Sequence, residues 1–156
     1  VSATAAHGQA QPEASGIPKS HHDLLEAPFA VLATVGPQGR PQLSTVCFLA
    51  STDGTIELSV NETRQKAKNM MANSKVSLHI ADPANSSRYL ELRGHATVQP
   101  DDAYAFADRL GSKYGDLDLR RMDHPGEQRT VVTVRVDRAR TVDMRQPGEV
   151  GRALRP

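Results

Sequence analysis

Thr55-Ile56-Glu57-Leu58-Ser59-Val60, answered further on by Val76-Ser77-Leu78-His79-Ile80, is the stretch whose reading decides the fold. Both segments alternate apolar with polar side chains. Only an extended strand sends successive side chains to opposite faces, so each is predicted to be a strand with one side against a core. The residues between them behave differently. Across Thr63 to Ala72 the alternation stops, Ala67, Met70 and Met71 recur at helical spacing, and Asx and Thr cap candidates stand at the start, which predicts a short helix.

The same reading extends in both directions. Upstream, Phe29 to Val35 is an apolar run ended by Gly36-Pro37-Gln38-Gly39, and Gln42 to Ala50 resumes with β-branched and aromatic residues, so the pair reads as a hairpin. A turn at Ser51-Thr52-Asp53-Gly54 then leads into the deciding strand. A short helix is expected from His21 to Ala27, with Ser20 as its cap and Pro28 closing it. Downstream, after a Pro83 to Ser87 loop, Arg88 to Val98 forms a long strand in which Gly94 suits a bulge or bend. Pro100-Asp101-Asp102 opens a helix with Tyr104, Phe106, Ala107 and Leu110 on its apolar side, fading by Gly115. Thr130 to Val136 is the last predicted core strand. Six or so antiparallel strands interrupted by two helices point to a mostly β fold with short α insertions, a barrel rather than alternating βαβ units.

Residues 1–20 hold almost no large apolar side chain, so they are expected to form a flexible arm, with residues 21–145 as one domain and 146–156 as a loose tail. Nineteen basic and eighteen acidic side chains give a formal charge of +1, which excludes bulk attraction to nucleic acid or an anionic membrane. Cys47 is the one cysteine, and no Cys/His spacing suits zinc, so no structural metal is expected and a reducing, cytoplasmic setting is. No stretch reaches the length of a signal peptide or a membrane span.

Chemistry concentrates at Arg64, Lys66 and Lys68. They stand at the start of the predicted helix, where unpaired backbone N–H groups and the positive dipole end favour an anion such as phosphate. Three nearby cations also fit a solvated face. No Ser/His/Asp set, paired carboxylates or Walker loop is present, so hydrolysis and phosphoryl transfer have no residues to carry them. Cys47 reads as a small buried hydrophobe and His79 and His95 as structural strand histidines without a carboxylate partner, while Arg88 and Arg129 open strands, where an arginine can reach a cofactor tail or a partner subunit but is expected to be exposed.

Taken in order, Phe29 to Thr34, Gly39 to Val46, Thr63 to Met70, Val76 to Ile80 and Leu92 to Ala96 resemble the pyridoxamine phosphate oxidase-like split-barrel superfamily, from about Leu24 to Asp143. The resemblance implies a homodimer with two cofactors at the subunit interface. It lays Pro41 to Val46 along a tricyclic ring, with Ser44 and Thr45 as its polar contacts, and puts Lys66 on the family's phosphate-binding lysine. Ser44 falls where FMN binders carry an arginine. That departure, together with Arg64, Lys66, Lys68 and Asn69, looks more like the actinobacterial branch using the deazaflavin coenzyme F420, whose lactyl phosphate and oligoglutamate tail form a long anionic chain. The implied cofactor-binding set is Pro41, Gln42, Ser44, Thr45, Val46, Arg64, Lys66, Lys68 and Asn69. The implied activity is hydride transfer between F420 and a planar or conjugated small-molecule substrate, with no catalytic acid or base assigned. An FMN-dependent oxidase or reductase and a non-catalytic flavin or deazaflavin carrier are the alternatives.

Overall fold

The computed structural model describes residues 16–144. Seven strands form one antiparallel sheet: β1 (Ala30–Val35), β2 (Pro41–Val46), β3 (Leu49–Ala50), β4 (Thr55–Asn61), β5 (Lys75–Asp82), β6 (Asn85–Pro100) and β7 (Arg129–Asp143). Two α-helices interrupt it, α1 (Gln65–Ala72) and α2 (Ala105–Lys113). Their order across the sheet is β2-β1-β5-β6-β7-β4-β3.

That order closes the barrel by itself. β2 and β3 occupy opposite ends of the sheet, yet only Cys47 and Phe48 separate them in sequence. Three Cα-to-Cα steps span at most about 10 Å, so the two outer edges of the sheet must curl round to meet. The strand expected as one unit from Gln42 to Ala50 is therefore two: its first half pairs with β1 and its second with β4. Phe48, in the link, is fully buried and anchors the closure.

Alternation supplies the core as expected. Ile56, Leu58 and Val60 of β4, Leu78 and Ile80 of β5, Leu90 and Leu92 of β6, and Val132 and Val134 of β7 point inward with Leu32 and Phe48. α1 adds Ala67 and Met70 to this core, and α2 packs Phe106, Ala107 and Leu110 with Leu119 in a smaller cluster on the outside. The bend expected at Gly94 is present. The β6–β7 register shifts between Arg93 and Gly94, and β7 crosses so close that a Cβ on Gly94 would sit 2.0 Å from the Arg135 carbonyl oxygen.

Several boundaries differ from expectation, each for a local reason. The arm expected over residues 1–20 reaches into the described chain, and there it is not loose: Ile17 is buried in the core, and Ser20 contributes its carbonyl to the Arg88 guanidinium. Residues 1–15 and the tail 146–156 lie outside the described residues. The helix expected from His21 is a 3₁₀ segment, Lys19–Glu26, kinked at His21. α2 starts at Ala105 instead of Asp101, because the Asp101 carboxylate reaches over a 3₁₀ turn to accept the Phe106 and Ala107 N–H groups at 2.9 Å. β7 continues past Val136 to Asp143 along β6, through charged residues that carry no strand pattern.

Candidate functional site

The seam where the sheet meets itself also opens the site. β3 pairs with β4 at Leu49–Glu57 and Ala50–Ile56, and continuing that register would set Cys47 against Ser59 and Thr45 against Asn61. No ladder forms at those positions. Thr45, Cys47, Ser59 and Asn61 instead line a cleft of about 320 Å³, with Arg64 and Lys66 of the α1 entry and Arg129 of β7. Leu110, Leu117, Leu119 and Met122, from α2 and the segment after it, supply an apolar wall. A cleft of this size, mostly apolar with a few polar groups, suits a single ring system.

Its charged lining is entirely cationic. Arg64, Lys66 and Arg129 face it, and among the described residues no carboxylate does. Lys66 is half-buried, and its Nζ donates to Ser44 Oγ at 3.2 Å, a neutral partner. Burial first, and then repulsion from Arg64, pull the Lys66 pKa below the usual lysine value. An anion would relieve both effects. No side chain caps the start of α1, so its first N–H groups are available to the same anion. The cap candidates of the sequence act one turn earlier: Asn61 Oδ1 accepts from the Thr63 N–H at 2.9 Å and the Thr63 hydroxyl at 2.7 Å.

Arg129 is built in differently. Its Nε and Nη2 donate to the two oxygens of Asp123 at 2.7 and 2.9 Å, and both side chains are almost fully buried. Asn61 Nδ2 and the Tyr104 hydroxyl donate to the same carboxylate at 2.7 and 3.2 Å. Burial opposes the charge on Asp123, but these donors outweigh it and hold its pKa below the ordinary value. Asn61 Nδ2 also reaches Glu127 Oε2 at 2.7 Å, so the segment carrying Leu119 and Met122 is fastened to the end of β4 beside the basic turn.

The expected cofactor set divides. Thr45, Val46, Arg64 and Lys66 share the cleft, and Ser44 is joined to it through Lys66. Asn69 does not belong to it. It is buried, donates to Thr34 Oγ1 at 3.0 Å and Gln42 Oε1 at 2.9 Å, and accepts from Gln65 Nε2 at 2.8 Å, so its amide and that of Gln42 tie α1 to the β1–β2 hairpin. Pro41, at the far end of β2, lines a separate groove with Lys75 and His95. Lys68 is exposed and stands outside the lining of this cleft.

The single-residue expectations need correction too. Arg88 and Arg129 are buried: Arg88 is clamped by Asp23 and Asp82, and Arg129 enters the cleft. His79 and His95 are exposed, and His95 has the partner the sequence did not show, Asp137 Oδ2 at 3.2 Å. Cys47 is partly exposed at the cleft, and burial raises its thiol pKa despite Tyr114 and Lys113 nearby. Ser59, Asn61 and the apolar wall are cleft residues that sequence reasoning missed, and Arg129, which opens a strand where it could reach a cofactor, was expected to be exposed. A further signal was Asn61 just before the basic turn.

A family model for pyridoxamine 5'-phosphate oxidase matches residues 17–143. The chain belongs to that family. Within the pyridoxamine 5'-phosphate oxidase family it is similar to a structure described as an F420 reductase, from Mycobacterium, at 31% identity and a TM-score of 0.70, covering 80% of this chain and 98% of that one. A conserved hypothetical protein from Mycobacterium tuberculosis is 24% identical with a TM-score of 0.65, over 92% of this chain and 93% of that one. HupZ from Group A Streptococcus is 23% identical with a TM-score of 0.61, over 80% and 93%. The last two show the shared fold. No curated protein matches the chain.

Proposed function

We propose that the protein is an oxidoreductase that uses the deazaflavin coenzyme F420 to transfer a hydride to or from a planar or conjugated small molecule. One observation carries the reading: a ring-sized cleft whose charged lining is Arg64, Lys66 and Arg129, with no carboxylate among the described residues. The resemblance to an F420 reductase at 31% identity points the same way.

The residues present fit such a cofactor. The half-buried Lys66, lacking an acidic partner, would hold a phosphate with Arg64 and the uncapped N–H groups of α1. Ser44 keeps the ammonium aimed by accepting a hydrogen bond from it, a task an arginine at that position would not perform. Lys68, exposed two residues on, would meet the solvent-facing part of a long anionic tail. Leu110, Leu119 and Met122 exclude water from one side of the ring. When bound, the deazaflavin supplies the carbon that exchanges hydride, so the chain needs to bind, orient and desolvate and no nucleophile is required.

A homodimer in a reducing cytoplasm is part of the reading. Leu43, 68% exposed on the outer sheet face beside Val31 and Tyr89, is an apolar residue that a second subunit would cover.

Titrating the purified protein with F420 and with FMN, followed by ring fluorescence, tests the proposal. Clear preference for F420 with turnover of a conjugated acceptor supports it, preference for FMN gives the flavin alternative, and stoichiometric F420 binding without turnover gives the carrier. Failure to bind either cofactor ends the reading.

A further inference from the structure

Asp123 occupies only one side of the Arg129 guanidinium. On the other side Nη1 has a single long contact, 3.4 Å to Ser59 Oγ, although Arg129 is 7% exposed and borders the cleft. Ser59 lines the cleft as well, and among the described residues its side chain makes no other hydrogen bond. Since the serine oxygen accepts from Arg129, its hydroxyl proton is free to turn towards the cleft. Two donors, one of them charged and both held by barrel strands, therefore converge on one place in the cleft, facing the apolar wall.

We propose that Arg129 Nη1 and Ser59 Oγ form an oxygen subsite, distinct from the Arg64 and Lys66 phosphate group, that takes a carboxylate or a carbonyl oxygen carrying negative charge on the planar body in the cleft. The inference rests on the reading that this cleft holds a planar ligand, and it adds the chemistry of that ligand's polar end. A buried guanidinium already neutralised by Asp123 attracts through short, directed hydrogen bonds more than through net charge. It therefore selects for the position of an oxygen and not simply for an anion. Asp123 is the positioning residue. With all four of its donors in place the carboxylate cannot swing, so the fork of Arg129 is fixed before any ligand arrives. The apolar surroundings of Val60, Leu110, Leu119 and Met122 strengthen each hydrogen bond by excluding water.

The oxygen has two sources, a ring carbonyl of the cofactor or the polar end of a second ligand, and the test separates them. The probes are a fluorescent coumarin-3-carboxylate and its uncharged amide, planar bodies that differ at one group, titrated into the full chain. The parent protein is expected to prefer the carboxylate by about tenfold, the worth of one charge-assisted hydrogen bond. Ser59→Ala and Arg129→Lys should each remove most of that preference, whereas Lys75→Ala, in the separate groove, should not. Should Arg129→Lys unfold, Ser59→Ala alone decides, because it leaves the Asp123 pair intact. A parent without preference, or a Ser59→Ala variant that keeps it, overturns the proposal. The same variants titrated with F420 and FMN identify the source. A several-fold loss of cofactor affinity assigns the subsite to the ring, and unchanged affinity with weakened coumarin binding to the loaded protein assigns it to the second ligand. If the parent binds neither cofactor but still selects the carboxylate through Ser59, the F420 reading fails and the subsite stands.

Discussion

Replacing Lys66 by alanine removes the half-buried ammonium that has no acidic partner among the described residues, and the structure fixes what that should do. Among the described residues its one hydrogen bond goes to the neutral Ser44 hydroxyl, so no acidic side chain there compensates the charge before an anion arrives. One hydrogen bond to a charged group contributes about 1.5–3 kcal/mol, which corresponds to a roughly 10- to 150-fold weaker Kd for a phosphate-bearing cofactor. Lys68→Ala, at an exposed position, should cost under about 1 kcal/mol, less than roughly fivefold, and even that should vanish in high salt while the Lys66 effect persists. The pH dependence has a definite sign. Burial and Arg64 lower the Lys66 pKa in the free protein, and a bound anion raises it again. Affinity is therefore full below the lowered free-state pKa and falls as pH rises through it. The alanine variant should lack this alkaline fall. Fluorescence titrations of parent, Lys66→Ala and Lys68→Ala across pH and salt give all of these readings. Thermal melting should be unchanged, since no carboxylate loses a partner. A Lys66→Ala protein that binds as tightly as the parent, or keeps the alkaline fall, would refute the placement of the phosphate.

Asn69→Ala should behave in the opposite way, because its amide joins Gln65, Thr34 and Gln42: chemical denaturation should show a loss of about 2–3 kcal/mol, with cofactor affinity affected far less than by Lys66→Ala. An unchanged midpoint would contradict the structural role. Gly94→Ala puts a methyl group 2.0 Å from a backbone oxygen of β7 and should destabilise the barrel by about 2 kcal/mol or more, visible as a lower melting temperature. Ile17→Ala should cost roughly 2–4 kcal/mol if the buried side chain contributes as a core residue does, and a neutral result would show that the N-terminal segment does not dock in solution.

Where a strand has one face inside and one outside, as in β4 and β5, the period of two records it directly, and the barrel was legible from Thr55 to Val60 and Val76 to Ile80 for that reason. β7 escaped beyond Val136 because Arg138 and Arg140 are exposed and run along β6 through the backbone ladder, which leaves no trace in side-chain pattern. The break between β2 and β3 was equally hidden, since both halves are strand-like and only their partners differ. At the site, local features were readable and assembled ones were not. Lys66 announces itself beside a helix start, whereas the burial of Arg129 is decided by Asp123 in an irregular segment and by Asn61 from another strand. The partners of Asn69 were hidden for a related reason. An amide near a basic turn looks like a ligand contact until the hairpin that consumes its hydrogen bonds is in place.

The seam between β2 and β4 has a kinetic consequence. Its two sides come from the two ends of the sheet order, so the cleft cannot exist until β5, β6 and β7 have assembled between them. An unfolding intermediate that has parted along the unpaired seam has lost the whole binding site at once, even with most of its ladders intact. A ligand spanning Thr45 and Ser59 thus acts as a clasp across the place where the barrel would open first. It should slow unfolding while leaving the rate of folding almost untouched, because the contacts it makes are absent from the chain until the last closure.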